Sequence, residues 1–89
     1  MMTDISEGCN LELDKYVSGM KILILQTPNS NSGDEINLSY FNTGIEKTFF
    51  VFQSPEKKSF ANSISWSEDG IITVSEPDGQ KKTILVIGE

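Results

Sequence analysis

Eighty-nine residues give room for one domain with one thin core, which excludes a two-domain enzyme with a cleft between its halves. Thirteen acidic residues stand against seven basic ones, a net charge of −6, and all seven are lysine; without the planar fork of arginine, and with an excess of acid that repels polyanions, the chain is expected to bind neither nucleic acid nor an anionic membrane surface. The absence of histidine removes the usual general base near neutral pH and the triads built on imidazole, and Cys9, the single cysteine, leaves no internal disulfide and no thiolate cluster for zinc or iron.

Residues 1–19 are polar and acidic, with one short step of alternation at Leu11-Glu12-Leu13-Asp14. They read as an N-terminal arm, ordered only when something packs on it, ahead of a domain at residues 20–89. The start has no basic segment followed by an apolar stretch, so no secretory signal is expected, and the product is expected to be soluble and made in a cytoplasm. Acid is concentrated early. Residues 1–46 carry seven acids and two lysines, net −5, and residues 47–89 carry six acids and five lysines, net −1.

Lys21-Ile22-Leu23-Ile24-Leu25-Gln26 is a continuous apolar run, the pattern of a strand covered on both faces, and Pro28 with Asn29-Ser30-Asn31-Ser32-Gly33 breaks it. Ile36, Leu38 and Tyr40 alternate with Asn37, Ser39 and Phe41, the period of a half-buried strand, and Asn42-Thr43-Gly44 supplies the turn after it. Thr48-Phe49-Phe50-Val51-Phe52 makes a third strand closed by Ser54-Pro55. A fourth is expected from Phe60 to Trp66, a fifth from Ile71 to Ser75 and a sixth from Lys82 to Ile87. No stretch has helical periodicity, and the apolar runs are far short of the roughly 20 residues that span a bilayer. Six strands about 10 to 14 residues apart predict an all-β fold, a single small antiparallel β-sandwich or barrel.

The stretch Ser65 to Gln80 holds two acidic, glycine-closed tetrapeptides, Ser67-Glu68-Asp69-Gly70 and Glu76-Pro77-Asp78-Gly79. Numbered as a calcium loop, Ser65, Ser67 and Asp69 fall at the first, third and fifth positions, Gly70 at the sixth and Glu76 at the twelfth. An EF-hand needs a carboxylate first and a helix on each side. Here Ile71 to Ser75 is extended, which separates Asp69 from Glu76 by roughly 16 Å. Each tetrapeptide therefore reads as a reverse turn, with glycine where φ is positive. A calcium site assembled from loops at one end of a sandwich would have to draw on Asp34, Glu35, Asp69 and Asp78. The adjacent pairs Asp34-Glu35 and Glu68-Asp69 lie in turns, on a domain too small to wall off a sugar for hydrolysis. The glycines have no phosphate-cradling spacing, and Lys57-Lys58 and Lys81-Lys82 read as solvated strand ends. No catalytic residue, metal or cofactor is expected, and the chain reads as a non-enzyme.

The aromatic residues carry the strongest functional signal. Phe49-Phe50-Val51-Phe52 cannot all point inward from a one-faced strand, so something must cover the outer side, either the arm or another copy of the chain. Phe50, Phe52 and Trp66 are the expected interface residues. The expected partner is a further copy, giving a homo-oligomer, or a larger protein assembly.

Lys21-Ile22-Leu23-Ile24-Leu25-Gln26-Thr27-Pro28, the Ser32-Gly33-Asp34 turn, Asn42-Thr43-Gly44-Ile45, Ile72-Thr73-Val74 and the segment Lys81 to Glu89 together resemble small β-rich virion structural and accessory proteins of tailed phages and archaeal tailed viruses. The likeness covers residues 20–89; a shorter stretch between Gln53 and Ile71 and the acidic arm depart from it. It implies a virion component, such as a capsid decoration protein or a head or tail accessory subunit, and no catalytic residues. Two other readings fit the residues. One is a small acidic inhibitor or immunity-like protein that blocks the basic cleft of a nuclease; the other is a carbohydrate-binding module that uses Trp66.

Overall fold

The computed structural model describes residues 3–55, 62–67, 70–75 and 78–89. Within them the chain runs through a 3₁₀ turn at Ser6–Gly8, β1 at Asn10–Val17, β2 at Met20–Gln26, β3 at Glu35–Asn37 and a second 3₁₀ turn at Leu38–Phe41. It continues through β4 at Thr48–Pro55, β5 at Asn62–Ser63, β6 at Ile71–Thr73 and β7 at Lys82–Gly88. Five strands form one sheet in the order β1-β2-β7-β4-β5, and β3 and β6 form a second. Every ladder between these strands is antiparallel. The fold is all-β, as expected, and neither described sheet closes on itself as a barrel.

The core lies between the two sheets. Leu23 and Leu25 of β2, Val51 of β4, and Ile84 and Val86 of β7 face Ile36, Leu38, Ile72 and Val74, and all are buried. The register explains the selection: Leu23 pairs with Val86 and Val86 with Val51, while Leu25 pairs with Ile84 and Ile84 with Gln53. Paired residues share a face, so one row after another points inward. Gln53 is the polar member. Its amide donates to the Ser75 carbonyl at 3.2 Å and its carbonyl oxygen accepts from Ser75 N at 3.0 Å, which ties β4 to the segment after β6 without leaving a buried polar group unpaired.

Four strands stand where they were expected, but three features differ from the sequence reading. β1 lies inside the stretch read as an arm. Ser18 and Gly19, at φ 50° and 81°, make a two-residue turn of the hand that suits twisted strands, so β1 folds back on β2. Asp14, bridged to Lys21 Nζ at 2.9 Å, helps hold the pair. The strand expected over Ile36 to Phe41 stops at Asn37, because the Asn37 side chain accepts from Ser39 N at 3.1 Å and from the Ser39 hydroxyl at 2.6 Å, turning the chain into a 3₁₀ segment that ends at left-handed Asn42. Of the strand expected from Phe60 to Trp66, Asn62–Ser63 is paired and Trp66 makes a separate bridge to Ile72, while Phe60 lies outside the described residues.

A fourth difference concerns Lys82, which the Lys81-Lys82 pair predicts to be a solvated strand end. It is fully buried, and its ammonium donates to the Ser30 carbonyl at 2.8 Å and the Ser30 hydroxyl at 3.1 Å. The inward register of β7 places it there, one step along from Ile84, and its backbone N–H donates to Thr27 Oγ1 at 2.9 Å. Burial lowers its pKa, and the charges of Asp78 and Asp34 work against that shift. Lys81, its neighbour, is exposed; the pair Lys57-Lys58 lies outside the described residues.

Candidate functional site

The candidate site is the face of the five-stranded sheet turned away from the core. Its composition follows from the ladders. One row runs Leu13, Ile24, Leu85, Phe52, and the next runs Lys15, Ile22, Ile87, Phe50; Val17 and Met20 begin a third. Asn10, Gln26, Thr83 and Ser54 form a polar row at one end, where the Thr83 hydroxyl donates to Gln26 Oε1 at 2.6 Å. In the polar row Thr83 and Ser54 are buried, whereas the apolar rows are more open. Phe50 is 55% exposed and Met20 43%; Leu13 and Val17 are also exposed, and Ile22, Ile24, Phe52, Leu85 and Ile87 are only partly covered.

The continuous apolar run at Lys21 to Gln26 predicts a strand covered on both faces, whereas β2 has only its Leu23 and Leu25 side covered. The same holds for β7 and β4. Among the described residues, three neighbouring strands thus carry apolar side chains on the side turned away from the core. Spacings of about 4.8 Å between strands and about 6.8 Å between rows make this a patch of roughly 300 Å² in projection, at the lower end of the range of the largest apolar patches on single domains, which are often functional.

The expected interface residues do not stay together. Phe50 and Phe52 stack on this face, with ring centroids 6.1 Å apart and planes 20° apart. Trp66 belongs elsewhere: paired with Ile72, it borders an open cleft of about 540 Å³ whose other lining residues are Ser32, Ile64, Ser65, Thr73, Val74 and Ser75. It is 37% exposed and brings one indole to a rim rich in hydroxyl groups.

Among the loop acids, Asp34 Oδ2 accepts from Asn31 N at 2.8 Å and Asp78 Oδ1 accepts from Ser32 N at 2.7 Å, so each carboxylate closes a loop by binding backbone N–H groups. Glu35 is on β3, and Asp69 and Glu76 lie outside the described residues. Among the described residues no three potential metal ligands come together. Gly70 and Gly79 have φ of 80° and 70°, and Gly70 N donates to the Ser67 carbonyl at 3.0 Å, the geometry of a reverse turn. Cys9 is buried beside Ile5, whose carbonyl accepts from its Sγ at 3.3 Å; burial, with a smaller contribution from Asp4, pushes its pKa up to about 11, which favours the protonated thiol near neutral pH.

The sequence singles out Phe50 and Phe52, which the structure places on this face, but not their neighbours there. Ile22, Ile24, Leu85 and Ile87 join it only because β7 inserts between β2 and β4. No described helix is long and apolar enough to cross a membrane. Set against models of known protein families, curated proteins and solved structures, the chain matches none, and nothing in those comparisons bears on the likeness to virion proteins.

Proposed function

We propose that this chain is a non-enzymatic β-scaffold that works by docking its outer sheet face against protein. One observation carries the reading: β2, β7 and β4 are apolar on both sides, and among the described residues the outward apolar rows stay partly exposed while the inward ones are buried. A face of this kind is held at a cost in solubility unless it is buried in use. The lack of histidine and the buried, weakly acidic thiol of Cys9 support a binding role over a chemical one. A virion decoration or accessory subunit, as the sequence resemblance implies, is the setting we propose, since such subunits act by adhesion to a shell. The experiment is retention on a phenyl matrix in ammonium sulfate, a salt that strengthens apolar contact. Wild type is expected to bind and Phe50→Lys to elute early with an unchanged far-UV circular dichroism spectrum; equal retention of the two would remove the face from consideration.

A second reading, carbohydrate binding, is favoured by one feature, the cleft that sets Trp66 beside the hydroxyl groups of Ser32, Ser65, Thr73 and Ser75. It predicts quenching of Trp66 fluorescence by neutral oligosaccharides, and a flat titration eliminates it.

A further inference from the structure

Resting on the docking reading above, we infer that the occupant of the outer face is a second copy of this chain, packed sheet on sheet about a two-fold axis. Charge is the first argument. The chain carries thirteen acidic residues, yet no described aspartate or glutamate occupies an outward register position on β1, β2, β4 or β7. Glu12, at the β1 irregularity, sits at the margin. Two copies of net charge −6 repel through any acid-bearing surface. This face is where they approach without opposing carboxylates, and an isologous contact requires a surface that complements itself. The one charge in the rows, Lys15, is on the edge strand, where it reaches water.

Edge pairing is the alternative route to self-association, and the sequence of β1 opposes it. A two-fold axis that adds β1 to its own copy antiparallel, with faces preserved, sets residues symmetrically about one centre. Centred on residue 12, Glu12 opposes itself; on 13, Glu12 meets Asp14. Centred on 14, Asp14 opposes itself, and on 15, Lys15 does. Like charges directly opposite destabilise a strand pair, so each of these registers is disfavoured.

Area sets the strength. A patch of roughly 300 Å² on each copy buries about 600 Å² in total, below the 1,200 to 2,000 Å² of standard stable interfaces, so the dimer is weak and reversible. Stacked sheets about 10 Å apart are also how the chain packs its own core, with the small β3–β6 sheet as the inner cover.

Sedimentation equilibrium from roughly 10 μM to roughly 1 mM tests the inference. Wild type should rise from a mass of 9.9 kDa toward twice that value. Phe50→Lys and Met20→Lys, both at exposed positions, should weaken association by at least about 100-fold with the thermal midpoint kept. Dimerisation of both variants at wild-type strength would overturn the face. A wild type monomeric throughout would overturn the second copy as occupant, and binding of the dye anilinonaphthalene sulfonate then separates two failures. Dye bound by wild type and not by Phe50→Lys leaves the face open for a different protein, and the docking reading stands; dye bound by neither ends both.

Discussion

Replacing Lys82 by methionine and, separately, by alanine divides the contribution of a fully buried lysine into its charge and its stem. Methionine keeps an unbranched apolar chain in the same space and loses the two bonds to Ser30. Neither Ser30 group is then stranded, because its carbonyl still accepts from Gly79 N at 2.9 Å and its hydroxyl still donates to the Gln80 carbonyl at 3.3 Å. Two bonds at a net of about 0.5 to 1.5 kcal/mol each give an expected loss of about 1 to 3 kcal/mol. Alanine removes three further methylene-sized groups at about 0.8 kcal/mol each, bringing its loss to about 3 to 5 kcal/mol. A domain of this size holds roughly 4 to 13 kcal/mol, so the alanine variant lies near the limit of folding.

The assay is urea denaturation followed by the fluorescence of Trp66, the single tryptophan, repeated across pH. The native pKa of Lys82 lies below its ordinary value of 10.5 because burial disfavours the ammonium. Between that lowered pKa and 10.5 the unfolded chain binds more protons than the folded one, so wild-type stability gains on the methionine variant as pH rises through this window. The gain is about 1.4 kcal/mol for each unit by which the native pKa is lowered. Equal losses for the methionine and alanine variants would refute the buried stem, and a wild-type advantage that stays flat up to pH 10.5 would refute desolvation of the ammonium.

Other outcomes follow from close approach and from burial. A Cβ on Gly88 would run into the backbone carbonyl of Lys47, where β7 meets the start of β4, so Gly88→Ala should lower the urea midpoint by an amount equivalent to about 1 to 3 kcal/mol or more. An unchanged midpoint would mean that the strands separate there at little cost. Cys9, with its pKa raised to about 11, should resist alkylation at pH 8 until urea unfolds the chain; fast labelling of the native protein would contradict its burial. The Asp14–Lys21 bridge is partly exposed, and Asp14→Asn should cost no more than about 1 kcal/mol, less at high salt.

β2, β4, β6 and β7 were legible because period-two or continuous apolar patterns leave few alternatives. β1 was not, since an edge strand carries charge on both sides: all but one of its residues are exposed, so it lacks the apolar stripe that marks a half-buried strand. The signal that remained was Ser18-Gly19, a short turn ahead of the continuous apolar run at Lys21 to Gln26. The early end of β3 was hidden because one side chain, Asn37, outweighs a periodic pattern. Lys82 was hidden because a Lys-Lys pair looks solvated until the register of β7 turns one of the two inward. For the site, Phe50 and Phe52 were visible in a run too apolar for one face, but Ile22, Ile24, Leu85 and Ile87 could be grouped with them only once the strand order was known.

The place of β7 has consequences for how the molecule is made. It lies between β2 and β4, and its pairing with β2 joins residues 57 apart in sequence, as at Gln26 and Thr83. A fragment ending before Lys82 retains β1 with β2, β4 with β5 and the short β3–β6 pair, but no strand to join the first two pairs into one sheet. Such high contact order makes assembly slow and all-or-none. Until β7 arrives, the apolar sides of β2 and β4 stay open to any chain nearby, so synthesis at low temperature or with a chaperone should raise the yield of folded protein.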